Sequence, residues 1–284
     1  MRTPSLQLFD NRISSLNNKL SQTIFIFEQF TLDNKQRIES NKTKLTTEVF
    51  KENKNARQFN TKLDKLNTES ANTLQYIIDT FFASIYTIFE VYLKESYSFI
   101  RLKINTNIKE LPDRKIFDFV FSELNIDIKG DIGREVYSTF VYFKLLRNSI
   151  IHRTNEKRVQ GLFEDFISGK MNDDILLNGS QLNKYWKEQN QKLGIEYFDF
   201  SRRSDLILSH QDLIETFNFF RLFVEKIDDI LLKNYDVELL KRLTVESYLH
   251  SIEESKAEKK LSKLLHFNMF FLNLDKSLFS EKDV

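Results

Sequence analysis

The stretch LQYIIDTFFASIYTIFEVYL, from Leu74 to Leu93, decides the fold. Wound at 3.6 residues per turn, it places apolar side chains on nearly every side, the pattern of a helix surrounded by other helices rather than lying on a surface. Its only charges are Asp79 and Glu90. A bilayer-spanning helix wants about 20 apolar residues with few or no charges, so the stretch reads as the buried core helix of a bundle, continuing to about Ile104. No membrane partner is expected.

Outward from this helix, the whole chain is poor in turn residues, with six glycines and two prolines in 284 residues. Such scarcity predicts an all-α fold of long helices joined by few loops. The length suits one or two domains. Cysteine is absent, which excludes disulfides, thiolate zinc sites and cysteine nucleophiles and fits a reducing compartment. Residues Met1 to Leu8 show no basic segment followed by an apolar run, so no secretory signal is visible and a cytoplasmic location is expected. Lysine plus arginine (42) nearly cancels aspartate plus glutamate (41), so any nucleic-acid contact must be local. The 27 phenylalanines are read as a codon bias toward Phe, Ile, Asn and Lys, with no chemical role.

Ile13, Leu16, Leu20, Ile24 and Phe27 recur at helical spacing, and a looser pattern through Ile38, Leu45 and Val49 suggests a helical hairpin over residues 1–56. A solvated helix over residues 40–72 then leads into the core. Pro112 breaks the chain, Ile116 to Leu124 reads as a short helix, and Gly130 and Gly133 mark a turn before a long helix ending near His152. Val159 to Ile167 is amphipathic. Met171 to Leu193 reads as irregular or short helical structure, and Ile195 to Leu208 as one small β-hairpin around Arg202 and Arg203. Ser209 with Asp212 three residues on marks the start of a closing helix through Leu231, and two shorter helices follow from Asp236. The expected organisation is an N-terminal helical extension (1–68), a helical bundle (69–235) and a C-terminal helical extension (236–284).

Of the four histidines, His210, His250 and His266 have ready structural explanations, whereas His152 ends the run Arg147-Asn148-Ser149-Ile150-Ile151-His152. The apolar stripe Val136, Phe140, Phe143 continues into Arg147, and the stripe Val141, Leu145 continues into Asn148 and His152. Three polar groups therefore stand where an interior is expected. Arginine and histidine are seldom buried alone, so they form either a structural hydrogen-bond cluster or a site facing a cleft. Glu90 shares a largely apolar helix face with Ala83, Tyr86, Leu93 and Tyr97 and is expected to pair with Arg147, Asp79 being the less favoured carboxylate.

The run from Arg147 to His152 resembles the signature of the HEPN family, an Arg and a His four to six residues apart with a polar residue after the Arg. Ile88-Phe89-Glu90-Val91-Tyr92-Leu93-Lys94 is similar to the F-E-x-x-x-K pattern of the second helix in several groups of that family. The resemblance spans about Leu74 to Leu232. It implies an antiparallel HEPN-like helical bundle that forms a homodimer with two copies of the Arg and His in one cleft, acting as a metal-independent endonuclease on RNA. It implies that Arg147 binds the scissile phosphate, that His152 is the general base or acid, and that Asn148 and Glu90 position them; no cofactor or metal is implied. Imidazole titrates near neutrality and guanidinium forks onto phosphate oxygens, so the chemistry is coherent. Lys144, Arg153, Lys157 and Arg158 flank the motif as candidate RNA-binding residues. A growth-arresting role in a toxin-antitoxin or phage-defence system, with an antitoxin or regulatory protein as partner, follows by analogy. Toxins of this family often carry Tyr two residues after the His; Thr154 stands there, so regulation through that tyrosine is not expected.

Two other readings compete: a non-catalytic interaction module whose Arg, Asn, His and Glu fix helix register or a dimer interface, and a nucleotide-binding domain using Arg147 on a phosphate. The chain contains no G-x-x-x-x-G-K, G-x-G-x-x-G, G-x-S-x-G or H-E-x-x-H motif, so P-loop, dinucleotide, serine-hydrolase and zincin chemistries lack their signatures.

Overall fold

A computed structural model describes residues 3–104, 115–151, 157–171, 173–189, 195, 198–202, 207–233, 237–249, 257–270 and 276–284. The chain is all-α. Among the described residues the sole β feature is one antiparallel bridge between Leu45 and Lys62.

Helix α1 runs unbroken from Pro4 to Glu39. The helical hairpin expected over residues 1–56 does not form, because no glycine or proline lies between Ser5 and Glu39 to turn the chain. Thr3 caps the helix, its hydroxyl accepting from the N–H of Leu6 at 3.1 Å. Leu6, Phe9, Ile13, Leu20 and Ile24 point into the main core, so the N-terminal segment is part of that core. The chain then turns through the one-turn helix α2 (Thr46–Val49) and a 3₁₀ turn (Lys54–Arg57), where a solvated helix was expected, and returns as α3 (Leu63–Ile104). Phe9 meets Tyr92 edge-on at 5.8 Å, and Ile38 packs with Leu63 and Leu66 at the other end, so α1 and α3 lie antiparallel.

Helix α3 is long and apolar enough, by length and composition, to cross a membrane. In the fold it packs against α1, α4 (Ile116–Glu123), α6 (Arg134–Ile151) and α9 (His210–Lys233), and these cover Phe82, Ile85, Phe89, Tyr92 and Leu93. A single turn, α5 (Ile128–Asp131), precedes α6, and Gly133 between them takes a φ of +91°, a left-handed value that glycine adopts without steric cost.

Helix α6 is enclosed by aromatic rings. Phe143 touches Phe82 of α3 at 6.2 Å, and Phe140 stacks on Phe223 of α9 at 4.6 Å and 13°. Tyr142 meets Phe163 of α7 (Lys157–Ser168) at 5.3 Å and Phe200 at 5.0 Å. Each buried phenylalanine contributes about 1.5–3 kcal/mol from apolar burial, and well-oriented ring pairs add about 0.5–1.5 kcal/mol. Much of the phenylalanine is thus expended on the core, while Phe25, Phe30 and Phe59 are exposed.

The stretch 171–193, expected to be irregular or in short helices, contains α8 (Gly179–Gln189), whose Trp186 is buried and donates from Nε1 to the Thr139 hydroxyl at 2.8 Å. The β-hairpin expected at 195–208 is absent among the described residues of that span. Its backbone is engaged elsewhere: the N–H of Phe200 donates to Oδ1 of Asn183 on α8 at 2.8 Å, and Asp199 receives Asn183 and Ser201. Among the described residues this loop is tied to a helix and pairs with no strand. Ser209 and Asp212 cap α9 reciprocally, with Ser209 N–H to Asp212 at 2.8 Å and Asp212 N–H to the Ser209 hydroxyl at 3.1 Å. Helices α10 (Val237–Leu249) and α11 (Ala257–Phe270) build a second, smaller core of Leu240, Tyr248, Leu264 and Phe279.

Candidate active site

Arg147 and Asn148 stand in the last turn of α6, one to two turns beyond the ring cluster of Phe140 and Phe143. Ser149 and Ile150 after them are still buried, and Ile151, which ends the helix, is exposed. Arg147 is half-buried. Its Nη1 donates to Oδ1 of Asn148 at 3.1 Å, its guanidinium carbon lies 6.0 Å from the centre of the Tyr86 ring, and its Nε is buried with no hydrogen-bond partner.

The expected ion pair between Arg147 and Glu90 is not formed: among the described residues no carboxylate lies within salt-bridge distance of Arg147. The reason is Tyr86, one helical turn before Glu90 on α3, whose ring occupies the position facing the guanidinium. That ring is fixed by Phe140 at 5.9 Å and Phe220 at 5.3 Å. Its hydroxyl is buried without a partner. Burial drives the Tyr86 phenol well above its ordinary value; the charge of Arg147 opposes that rise and Glu90 reinforces it. The phenol is therefore neutral, and able to donate, at every physiological pH.

Two arginines contrast with Arg147: Arg12 forks onto Glu95 with both contacts at 2.8 Å, and Arg202 reaches the buried Asp212 at 2.9 Å. Arg134, like Arg147, meets uncharged groups, the carbonyls of Ile175 and Asp174 at 2.7 and 2.9 Å. Arg147 is held by an amide oxygen and a π face, which leaves its charge available to an incoming anion.

His152 and Arg153 lie outside the described residues, as do the side chains of Lys157 and Arg158 at the start of α7. Lys144, on α6, is half-exposed. Asp79, the less favoured carboxylate, receives Gln75 on its own helix at 2.9 Å. Tyr86 is the member that sequence reading passed over as an apolar neighbour of Glu90. Its signal was present: a tyrosine, rather than phenylalanine, one turn from a carboxylate in an otherwise apolar face.

A groove of about 580 Å³ between α1 and α3 is lined by Phe27, Leu32, Ile38, Ala71 and Leu74 with Glu28, Lys35 and Glu39. Leu74 precedes Tyr86 by twelve residues, about 18 Å of helix, so this groove is separate from the arginine site. Among the described residues no three histidine, aspartate or glutamate side chains gather to hold a metal ion. Comparison with protein-family models, with characterised proteins and with solved structures finds no match for the chain.

Proposed function

We propose that this chain is a metal-independent endoribonuclease of the HEPN type, with Arg147 and His152 as its central pair. The observation that carries the reading is that, among the described residues, Arg147 is positioned by neutral groups, in a half-buried setting near the end of its helix. A guanidinium so placed favours an oxyanion such as a phosphodiester.

In the reaction, Arg147 binds the non-bridging oxygens of the scissile phosphate. His152 takes the proton from the ribose 2′-hydroxyl, whose oxygen attacks phosphorus, or gives a proton to the departing 5′-oxygen. Two copies of the chain in a homodimer supply both roles. The P–O5′ bond breaks as the new P–O2′ bond forms, leaving a 2′,3′-cyclic phosphate, and DNA is spared because it lacks the nucleophile. Asn148 and Glu90 act as positioning groups. Lys144, Arg153, Lys157 and Arg158 contact the RNA backbone in this reading. The biological setting by analogy is a cytoplasmic toxin or phage-defence effector restrained by a partner protein.

The test is incubation of the purified chain with total RNA and with DNA in EDTA, beside Arg147→Ala and His152→Ala variants that keep the native fold. RNA cleavage by the wild type, absent in both variants, supports the reading; intact RNA with the wild type, or equal cleavage by the variants, overturns it.

One observation favours a second reading, a non-catalytic interaction module. Phe25, Ile26 and Leu32 on α1 are more than three-fifths exposed, and Leu32 lines the groove against α3. That reading expects self-association without RNA cleavage.

A further inference from the structure

Two buried polar atoms without hydrogen-bond partners belong to side chains that face each other: Nε of Arg147 and the hydroxyl of Tyr86. Buried polar groups are nearly always satisfied, so each such orphan calls for a reason. Their chemistry is complementary. The Nε–H is a donor lacking an acceptor, and a phenol oxygen accepts one hydrogen bond while donating another. Glu90, near enough to bear electrostatically on the same phenol, offers the acceptor for that second bond.

Packing gives no reason for the hydroxyl. The Tyr86 ring sits among Phe89, Phe140 and Phe220, where phenylalanine would fill the same space without burying an unsatisfied polar atom. The ring does have a function in this setting, because its face lies under the guanidinium at cation–π distance.

We propose that Tyr86 is a positioning residue for Arg147: its ring supports the guanidinium, and its hydroxyl accepts from Nε–H and donates to Glu90 when the outer Nη edge engages a phosphate. Glu90 then orients the arginine through one intervening hydroxyl and does not neutralise it. A direct ion pair would compete with the anion, whereas a neutral relay leaves the full charge for it. The inference rests on the ribonuclease reading only for the source of the phosphate.

The test uses the full chain, labelled with ¹⁵N, and inorganic phosphate as the probe. The Nε–H resonance of Arg147 is identified by its loss in Arg147→Lys. Phosphate is expected to slow its exchange with solvent by about tenfold, the equivalent of one net hydrogen bond, in the wild type but not in Tyr86→Phe. The Tyr86→Phe chain should melt at or above the wild-type temperature, showing that the core is intact. No protection in the wild type, or equal protection in Tyr86→Phe, overturns the proposal. RNA cleavage is read in parallel. Wild-type protein that leaves RNA uncut while showing Tyr86-dependent protection removes the ribonuclease reading and keeps this one. Cleavage by both chains with equal protection does the reverse.

Discussion

The guanidinium of Arg147 lies 6.0 Å from the centre of the Tyr86 ring and donates to the side-chain oxygen of Asn148 at 3.1 Å. A cation half-buried against aromatic rings, with one buried N–H unpaired, contributes little to folding. It is instead preorganised for a ligand, and this separates its effects on stability from those on activity.

Arg147→Met keeps the apolar stem and removes the charge. Its unfolding free energy should fall within about 1 kcal/mol of the wild type or exceed it, since the Asn148 amide oxygen that loses its donor is partly exposed and can be met by water. RNA cleavage should drop by about 100- to 1,000-fold, the scale of losing one preorganised donor. Urea unfolding alongside a cleavage assay checks both, and a variant that loses stability and retains cleavage contradicts the assignment.

The first turn of α1 is locked to α9. Asp228 is fully buried and receives the N–H of Thr3 at 3.0 Å, the Thr3 hydroxyl, and the Tyr92 hydroxyl at 3.2 Å. Asp228→Ala strands the Thr3 and Tyr92 donors and should cost about 2–4 kcal/mol. Phe9→Ala, which empties a fully buried site against Tyr92, should cost about 3–5 kcal/mol. Chemical denaturation measures both, and near-wild-type midpoints would show α1 to be dispensable to the core.

Asp228 also sets a pH dependence. Burial raises its carboxyl above the ordinary range against the opposing hydrogen bonds from Thr3 and Tyr92, and Asp229 adds to the rise. The folded carboxyl holds its proton at a pH where the unfolded one has released it. Its contribution to stability is thus fully present below the unfolded value and lost as pH rises through the raised folded value. Asp228→Asn should not show this loss. Unfolding free energies of the two chains, compared from acid to neutral pH, should diverge in the variant's favour, and a constant difference refutes the assignment.

Asp199 behaves in the opposite sense. Burial pushes its carboxyl up, but hydrogen bonds from Ser201 and Asn183 and the charge of Arg202 outweigh that and hold it below the ordinary range. Its contribution is present above the unfolded value and lost as pH falls through the folded one. Asp199→Asn should cost about 1 kcal/mol near neutrality, a small figure because solvent screens this partly exposed group. The cost should vanish in acid, as followed by Trp186 fluorescence during denaturation.

Gly179 marks the closest approach of α8 to the loop after it. A Cβ there would meet the carbonyl oxygen and carbon of Phe200 at 2.2 and 2.9 Å, atoms of backbone that has no rotamer to yield. Gly179→Ala should destabilise by about 2 kcal/mol or more. The emission of Trp186, the single tryptophan, buried about two turns into the same helix, reports any displacement of α8.

Helix content was legible in the residues because it depends on local quantities. The apolar surround of Leu74–Leu93, the scarcity of glycine and proline, and the Ser209/Asp212 cap each act within a few residues, and α3, α6 and α9 lie where periodicity put them. The uninterrupted course of α1 is equally local, following from the lack of any breaker before Ser40, and the looser apolar pattern through Ile38, Leu45 and Val49 belongs to the end of α1 and the short turn after it. The segment at 198–202 could not be read locally. Alternating Phe198 and Phe200 suit a strand until Asn183, 17 residues before Phe200, takes the backbone donor that a second strand would need. The arginine site divides in the same way. Helical spacing brings Arg147 and Asn148 to one end of an apolar helix, but which group faces the guanidinium depends on how α3 and α6 are rotated and shifted against each other. Packing of Tyr86 between Phe140 and Phe220 fixes that rotation, and it puts a neutral ring, not the Glu90 carboxylate, opposite the charge.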